Sequence, residues 1–181
     1  PAFSAAAAQA IALFERRQLN SELIRVQFGA DPLGTLAARG TLPRPAEAML
    51  TEMAALAQRA SAAFPCSRAV TVSTAPYDNA GATAVQELAA AVATGVAYLR
   101  AMEGASLSAA QACQQLQFSI AVGVDQFLEI AKVRALRMLW NRVLEAAQVP
   151  EDQRSMSIHA RTSRRVLTQR DPWVNALRTT I

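Results

Sequence analysis

Four short stretches of this chain alternate apolar and polar residues with a period of two, and helical patterning separates each from the next. They are Leu23–Phe28, Ala69–Ser73, Leu116–Val122 and Ser155–His159, and their markers Ile24, Val70, Phe118 and Met156 lie 46, 48 and 38 residues apart. Strands joined through an intervening helix run parallel, with right-handed crossovers. One side of each stretch is apolar: Ile24/Val26/Phe28, Val70/Val72, Phe118/Ile120/Val122 and Met156/Ile158. The other carries Arg25/Gln27, Thr71/Ser73, Gln117/Ser119 and Ser157/His159. A parallel sheet covered by helices on both faces reads instead as unbroken apolar runs. A barrel turns its apolar face outward against helices and can line its axis with polar groups. The expected fold is therefore α/β, a parallel (β/α)8 barrel of the TIM type, of which residues 1–181 form one segment with about four strands. A half-set of strands, a start at Pro1 and an end at Ile181 all read as a piece of a longer chain.

The helical segments carry their own punctuation. Ser4–Arg17 opens the series. Asp31-Pro32 supplies an N-cap acid and a proline at the first helical position, where the missing N–H costs nothing. Pro45–Ala63 places Met49, Met53, Leu56 and Ala60 on one stripe and stops before Phe64-Pro65. TAPYDN (74–79) reads as a turn before a long alanine-rich helix, about Ala80–Met102. Ser108 and Gln111 form a capping box. The helix over about Val124–Ala147 shows an apolar stripe of Leu128, Ala131, Ala135, Leu139 and Val143, predicting that this face is buried. Asp171-Pro172 repeats the earlier start signal.

A hydrophobic content of 52% with 18% charged residues excludes a disordered chain. No apolar run reaches the ~18 residues of a membrane span, and the opening PAFSAAAAQAIALFERR lacks the basic region of a secretory signal. Cys66 and Cys113 have no pairing pattern and read as two buried thiols in a reducing, cytoplasmic compartment. The net charge of +4 comes from arginine, since Lys132 is the only lysine among 18 cationic residues. The densest group, Arg161, Arg164, Arg165 and Arg170, falls in a short loop-like segment. It lacks interleaved aromatics or a recognition-helix pattern, so a solvated or subunit-facing surface is the better reading than nucleic acid.

Little chemistry is available. His159 is the only imidazole, so a metal site of three or four convergent ligands is not expected. No G-x-S-x-G elbow or glycine-rich phosphate loop is present. A lone strand histidine reads first as a hydrogen-bonded interior or strand-end residue. Glu129 and Lys132, with Arg134 and Arg137, have the spacing of a solvated ion-pair face. These patterns carry a barrel-like architecture and no reaction.

Longer motifs carry a resemblance. Phe127–Trp140 (FLEIAKVRALRMLW), His159–Ser163 (HARTS) and Leu167–Thr180 (LTQRDPWVNALRTT) are similar to the methylmalonyl-CoA mutase family. So is VTVS (70–73) followed by Ala80–Ala89 (AGATAVQELA). Phe28–Gly34 (FGADPLG) and Gly40–Pro43 (GTLP) resemble its small-subunit branch in particular. The resemblance implies a stretch from about the second to the sixth helix of an eight-stranded barrel. In that family the barrel binds acyl-CoA, while a separate domain binds cobalamin through a histidine motif that has no counterpart here.

Catalytic chains of the family carry a Tyr-His pair after the fourth strand, where this chain has Ala75 and Pro76. Their R-L-S on the fifth strand is Gln115-Leu116-Gln117 here, and their H-x-Q-T-S-G after the sixth becomes His159-Ala160-Arg161-Thr162-Ser163-Arg164. His159 is retained, while Ala75, Pro76, Gln115, Gln117 and Arg161 stand in place of active-site groups. The resemblance thus implies no catalytic, cofactor or metal residue in this chain. It implies a non-catalytic small subunit, heterodimeric with a catalytic large subunit that uses adenosylcobalamin to interconvert methylmalonyl-CoA and succinyl-CoA in cytoplasmic propionate metabolism. Two other readings stay open: an active acyl-CoA isomerase of altered substrate, using His159 with groups elsewhere, and a basic nucleic-acid-binding module.

Overall fold

Capping residues set most helix boundaries in the computed structural model, which describes residues 3–180. Helix α1 spans Phe3–Arg16, strand β1 Gln27–Ala30 and helix α2 Pro32–Arg39. The Asp31 side chain accepts from Gly34 N to open α2, and left-handed Gly40 closes it. Helix α3 is Ala46–Ala63 and strand β2 is Arg68–Ser73. The short helix α4, Ala75–Asn79, precedes α5, Ala84–Glu103, which begins with a Thr83/Gln86 capping box. The Ser108/Gln111 box opens α6, Ala109–Gln114. Strand β3 (Leu116–Val122), α7 (Gln126–Ala146), β4 (Ser157–Thr162) and α8 (Val174–Thr180) complete the described elements, with 3-10 turns at Glu151–Gln153 and Arg164–Val166.

The four strands form one all-parallel sheet in sequence order, β1-β2-β3-β4, flanked by helices. This is the architecture of a partial (β/α) barrel. Period-two alternation sorts the faces as expected. Val70, Val72, Phe118 and Ile120 join Met53 of α3, Tyr98 and Met102 of α5, and Leu136 and Trp140 of α7 in the core. The Phe118 and Trp140 rings meet edge-on with centroids 4.8 Å apart. They close over Gly95 of α5, where a Cβ would stand 2.8 Å from the Trp140 ring and 3.0 Å from that of Phe118. On the opposite face the register lines up Thr71, Gln117 and Ser157 in one row and Ser73, Ser119 and His159 in the next. Gln27 Nε2 extends the first row by donating to Thr71 Oγ1 at 2.8 Å.

Several local expectations shift. The first strand begins at Gln27, not Leu23, because the Ser67 hydroxyl takes over the pairing there. It accepts from Val26 N and donates to Ile24 O. Pairing of β1 with β2 then slips between Gln27 and Ala30, around Gly29 at φ +74, a bulge conformation that glycine adopts without a Cβ clash. TAPYDN is not a turn: residues 75–79 wind into α4. The last helix starts at Val174, three residues after Asp171, and the fourth strand runs to Thr162, not His159. Cys113 is buried but Cys66 is exposed, both as free thiols.

The largest correction concerns α7. Its buried row is Lys132, Leu136, Trp140 and Leu144, while Leu128 and Leu139 of the expected stripe are exposed. Two apolar rows run along this helix. The sheet takes the one that includes Trp140, which fits over Gly95, and Lys132, which finds buried partners.

Candidate functional site

The expected site positions are spread over the sheet. Ala75 and Pro76 form the first turn of α4, directly beyond the C-terminal end of β2. Gln115 lies at the other end of the sheet, just before β3. Its side chain is buried, and Oε1 accepts from Ala69 N at 3.2 Å. Gln117, His159 and Arg161 alternate onto the polar face, with His159 level with Ser119 and Arg161 with Ala121. Gln117 Nε2 reaches Ser157 Oγ at 3.5 Å. His159 is exposed in the middle of β4, and its imidazole makes no hydrogen bond among the described residues, so it is not the hydrogen-bonded interior or strand-end histidine expected. The Nε and Nη2 of Arg161 are buried without a hydrogen-bond partner. Gln117, His159 and Arg161 therefore share a face, whereas Gln115 is separated from Ala75 and Pro76 by the length of the strands.

A second, denser group of polar side chains lies at the C-terminal ends of β2, β3 and β4, and the sequence reading missed it. Glu87 of α5 and Lys132 of α7 are both buried. Lys132 Nζ donates to Glu87 Oε2 at 2.9 Å and to Ala121 O at 2.7 Å, and it forms an ion pair with Glu129 at 2.6 Å. Glu87 Oε1 accepts from the Thr74 hydroxyl at 2.5 Å and from Ala121 N at 3.0 Å. One ammonium and two carboxylates thus join two helices to the ends of two strands. Burial pulls the Lys132 pKa down, but the contacts with Glu129 and Glu87 outweigh it and leave the ammonium held above its usual range. The expectation of a solvated ion-pair face at Glu129 and Lys132 fails because their partner Glu87 is 45 residues upstream. A signal was present in the sequence. Glu87 lies four residues before Ala91 on the row continuing to Tyr98 and Met102, and Lys132 lies four before Leu136. Each charge continues an apolar row at helical spacing, and the two are of opposite sign.

Beside this node, Asp78 Oδ2 accepts from Ser163 Oγ at 2.8 Å, tying α4 to the end of β4. Arg165 approaches Asp78 at 3.9 Å and donates to Ala82 O. Asp78, Glu87, Glu129, Lys132, Ser163 and Arg165 line a cavity of about 480 Å³. Its size would admit a small molecule, but Lys132 has its donors directed at two carboxylates and a carbonyl, and Glu87 accepts from three donors. These groups hold the loops in place, while Glu129 lines the cavity with Lys132 as its ion-pair partner. A third node joins Asp31 to Tyr98, whose hydroxyl donates to Asp31 Oδ1 at 2.5 Å. Gly34 N donates to Oδ1 and Ser73 N to Oδ2. Burial raises the Asp31 pKa above the usual carboxylate value despite these three hydrogen bonds. Burial and the neighbouring Asp31 push the Tyr98 phenol above its usual range.

Among the described residues no helix is long and apolar enough to cross a membrane, and no group of three or more His, Cys, Asp or Glu could hold a metal ion. Comparison with known proteins supplies what this geometry does not. A family profile described as methylmalonyl-CoA mutase matches residues 2–181. The methylmalonyl-CoA mutase small subunit of Streptomyces virginiae is 44% identical over 176 residues, covering 97% of this chain and 28% of that protein. The small subunit of Propionibacterium freudenreichii subsp. shermanii is 39% identical over 177 residues, covering 98% of this chain and 27% of that protein. The large subunit from the same organism is 36% identical over 141 residues, covering 77% of this chain and 19% of that protein. The chain thus spans about a quarter of the length of the small subunits it matches. With a match along nearly all of its residues, it belongs to the methylmalonyl-CoA mutase family.

Proposed function

We propose that this chain is a barrel segment of the non-catalytic small subunit of a heterodimeric methylmalonyl-CoA mutase. In this reading the partner large subunit carries out the interconversion of methylmalonyl-CoA and succinyl-CoA with adenosylcobalamin. One observation carries it: the expected catalytic positions lack the Tyr-His pair and the strand arginine of the family's catalytic chains. Ala75 and Pro76 offer neither a hydroxyl nor an imidazole. Gln115 has no charge to pair with a carboxylate, and its Oε1 is engaged by the backbone of Ala69. Gln117 and Arg161 fill the remaining positions, and His159 stands without an orienting partner. Relatives named as small subunits, matching along nearly the whole chain, support the same reading.

The resemblance places the cobalamin-binding histidine motif in a separate domain, and the one imidazole here, His159, sits inside strand β4. The cofactor belongs, in this reading, to the large subunit. Both cysteines are free thiols, as a reducing compartment keeps them, and a cytoplasmic place in propionate metabolism is part of the proposal.

The test is turnover. Purified full-length chain, given adenosylcobalamin and methylmalonyl-CoA, is expected to form no succinyl-CoA, while mixing it with the large subunit gives activity. Turnover by the chain alone would replace this reading with that of an active isomerase using His159.

A further inference from the structure

The polar positions on the open face of the sheet carry amides, hydroxyls, one imidazole and one guanidinium, and no acid. The guanidinium, that of Arg161, is half-buried near the C-terminal end of β4. Its Nε and Nη2 are shielded from solvent without a hydrogen-bond partner, and Nη1, also unpaired, is the nitrogen that solvent reaches. A cation held partly out of water is normally balanced by an opposite charge. Arg161 forms no ion pair among the described residues. The acid that follows β1, Asp31, already accepts from Tyr98, Gly34 and Ser73. It also belongs to the opposite edge of the sheet, three strand spacings or about 14 Å from β4. Two further donors face the same space. His159 precedes Arg161 by two residues, about 6.6 Å along the strand, and is exposed and unpaired. Ser119, level with His159 on β3, has a hydroxyl that makes no hydrogen bond among the described residues.

We propose that Arg161, with His159 and Ser119, binds a small oxyanion, a carboxylate or a phosphate, on the polar face of the sheet. The proposal goes beyond the small-subunit reading and does not depend on it, since a chain without turnover can still hold an anion. Nε and Nη2 lie on one edge of the guanidinium, the edge that grips two oxygens of an oxyanion at once. An anion arriving on the Nη1 side supplies the acceptors that this edge lacks once the side chain turns toward it. In such a partly dry setting the attraction is stronger than in water. The imidazole and the Ser119 hydroxyl give the anion further donors, and the C-terminal ends of parallel barrel strands are where such folds take their ligands.

Inorganic phosphate and acetate, each titrated into the full-length chain against chloride at equal ionic strength, test this by calorimetry and melting temperature. At least one of them is expected to bind and to raise the melting temperature. Arg161→Gln should weaken that binding about tenfold or more, and His159→Ala about threefold or more. Arg164→Gln, on the exposed turn beyond β4, should leave it unchanged. Equal binding by the wild type and Arg161→Gln reduces the anion to an adventitious ion on a basic surface and overturns the proposal. Failure of the wild type to bind either anion overturns it as well. If that failure comes with a lowered melting temperature of Arg161→Gln, the guanidinium is paired with a carboxylate elsewhere in the full-length chain, not with a ligand. Should Arg161→Gln lose its circular dichroism, the other two variants decide: unchanged binding by His159→Ala, or weakened binding by Arg164→Gln, refutes the site.

Discussion

Replacing Lys132 by Met removes the only cation from a buried node and keeps the aliphatic length of the side chain. Glu87 and Glu129 then face each other, with side chains 4% and 17% exposed, and Ala121 O loses its donor. Breaking a buried pair by removing one partner costs about 3–5 kcal/mol, a large share of the roughly 5–15 kcal/mol that holds a domain together. For a domain of this size that is a fall in melting temperature of roughly 6–20 °C. The pH response should change as well. In the wild type the Lys132 pKa is raised, so its contribution is fully present below about pH 10.4 and is lost only as pH rises through the higher folded value. Across neutral pH its contribution stays constant. In the variant one of two crowded carboxyls has its folded pKa raised, so stability is greatest in acid and falls as pH climbs through that value. Melting of the full-length chain between about pH 5 and 8 measures both effects. Adding Glu87→Gln to Lys132→Met should recover part of the loss, since the amide keeps an oxygen for Thr74 and Ala121 N and removes the charge. A loss below about 1 kcal/mol, the level of a surface pair, with unchanged pH dependence, would show that the node is solvated and the reasoning wrong.

Three further outcomes are expected. Gly95→Ala should lower stability by about 1–3 kcal/mol, because its Cβ would overlap the Trp140 and Phe118 rings, even though alanine favours the helix by about 1 kcal/mol; thermal melting checks this. Asp31 has a raised folded pKa, so its contribution is present below about pH 3.9 and lost as pH rises through the folded value. Asp31→Asn should abolish that decline, and melting curves for the two proteins that stay parallel through this window would contradict the assignment. The 181-residue polypeptide studied alone should self-associate or be marginally stable, since β1 and β4 are edge strands of the sheet; a stable monomer in sedimentation would count against it.

The sequence by itself determined what depends on a few neighbouring residues. The Asp31-Pro32 start, the Ser108/Gln111 box and the alternation in Leu116–Val122 are satisfied within one turn or one strand, so they could be read directly and the structure reproduces them. The parallel α/β order follows from the same local pattern repeated four times. So does the division of polar and apolar strand faces, once the period is known.

Tertiary structure decided what depends on partners far along the chain. Which apolar row of α7 turns inward is set by the space over Gly95 and by the reach of Lys132 to Glu87, 45 residues away. A charged residue looked like a reason to place that row in water, and its buried partner made it a reason for the opposite. The first strand moved because the Ser67 hydroxyl, distant in sequence, pairs with Ile24 and Val26 in place of the ladder. His159 and Arg161 came to share a polar face with Gln117, while Gln115, at the N-terminal end of β3, turned its side chain to the backbone of Ala69. Helical and strand periodicity identifies a face but not what covers it. For a helix with two apolar faces, the choice belongs to the neighbour that completes the packing.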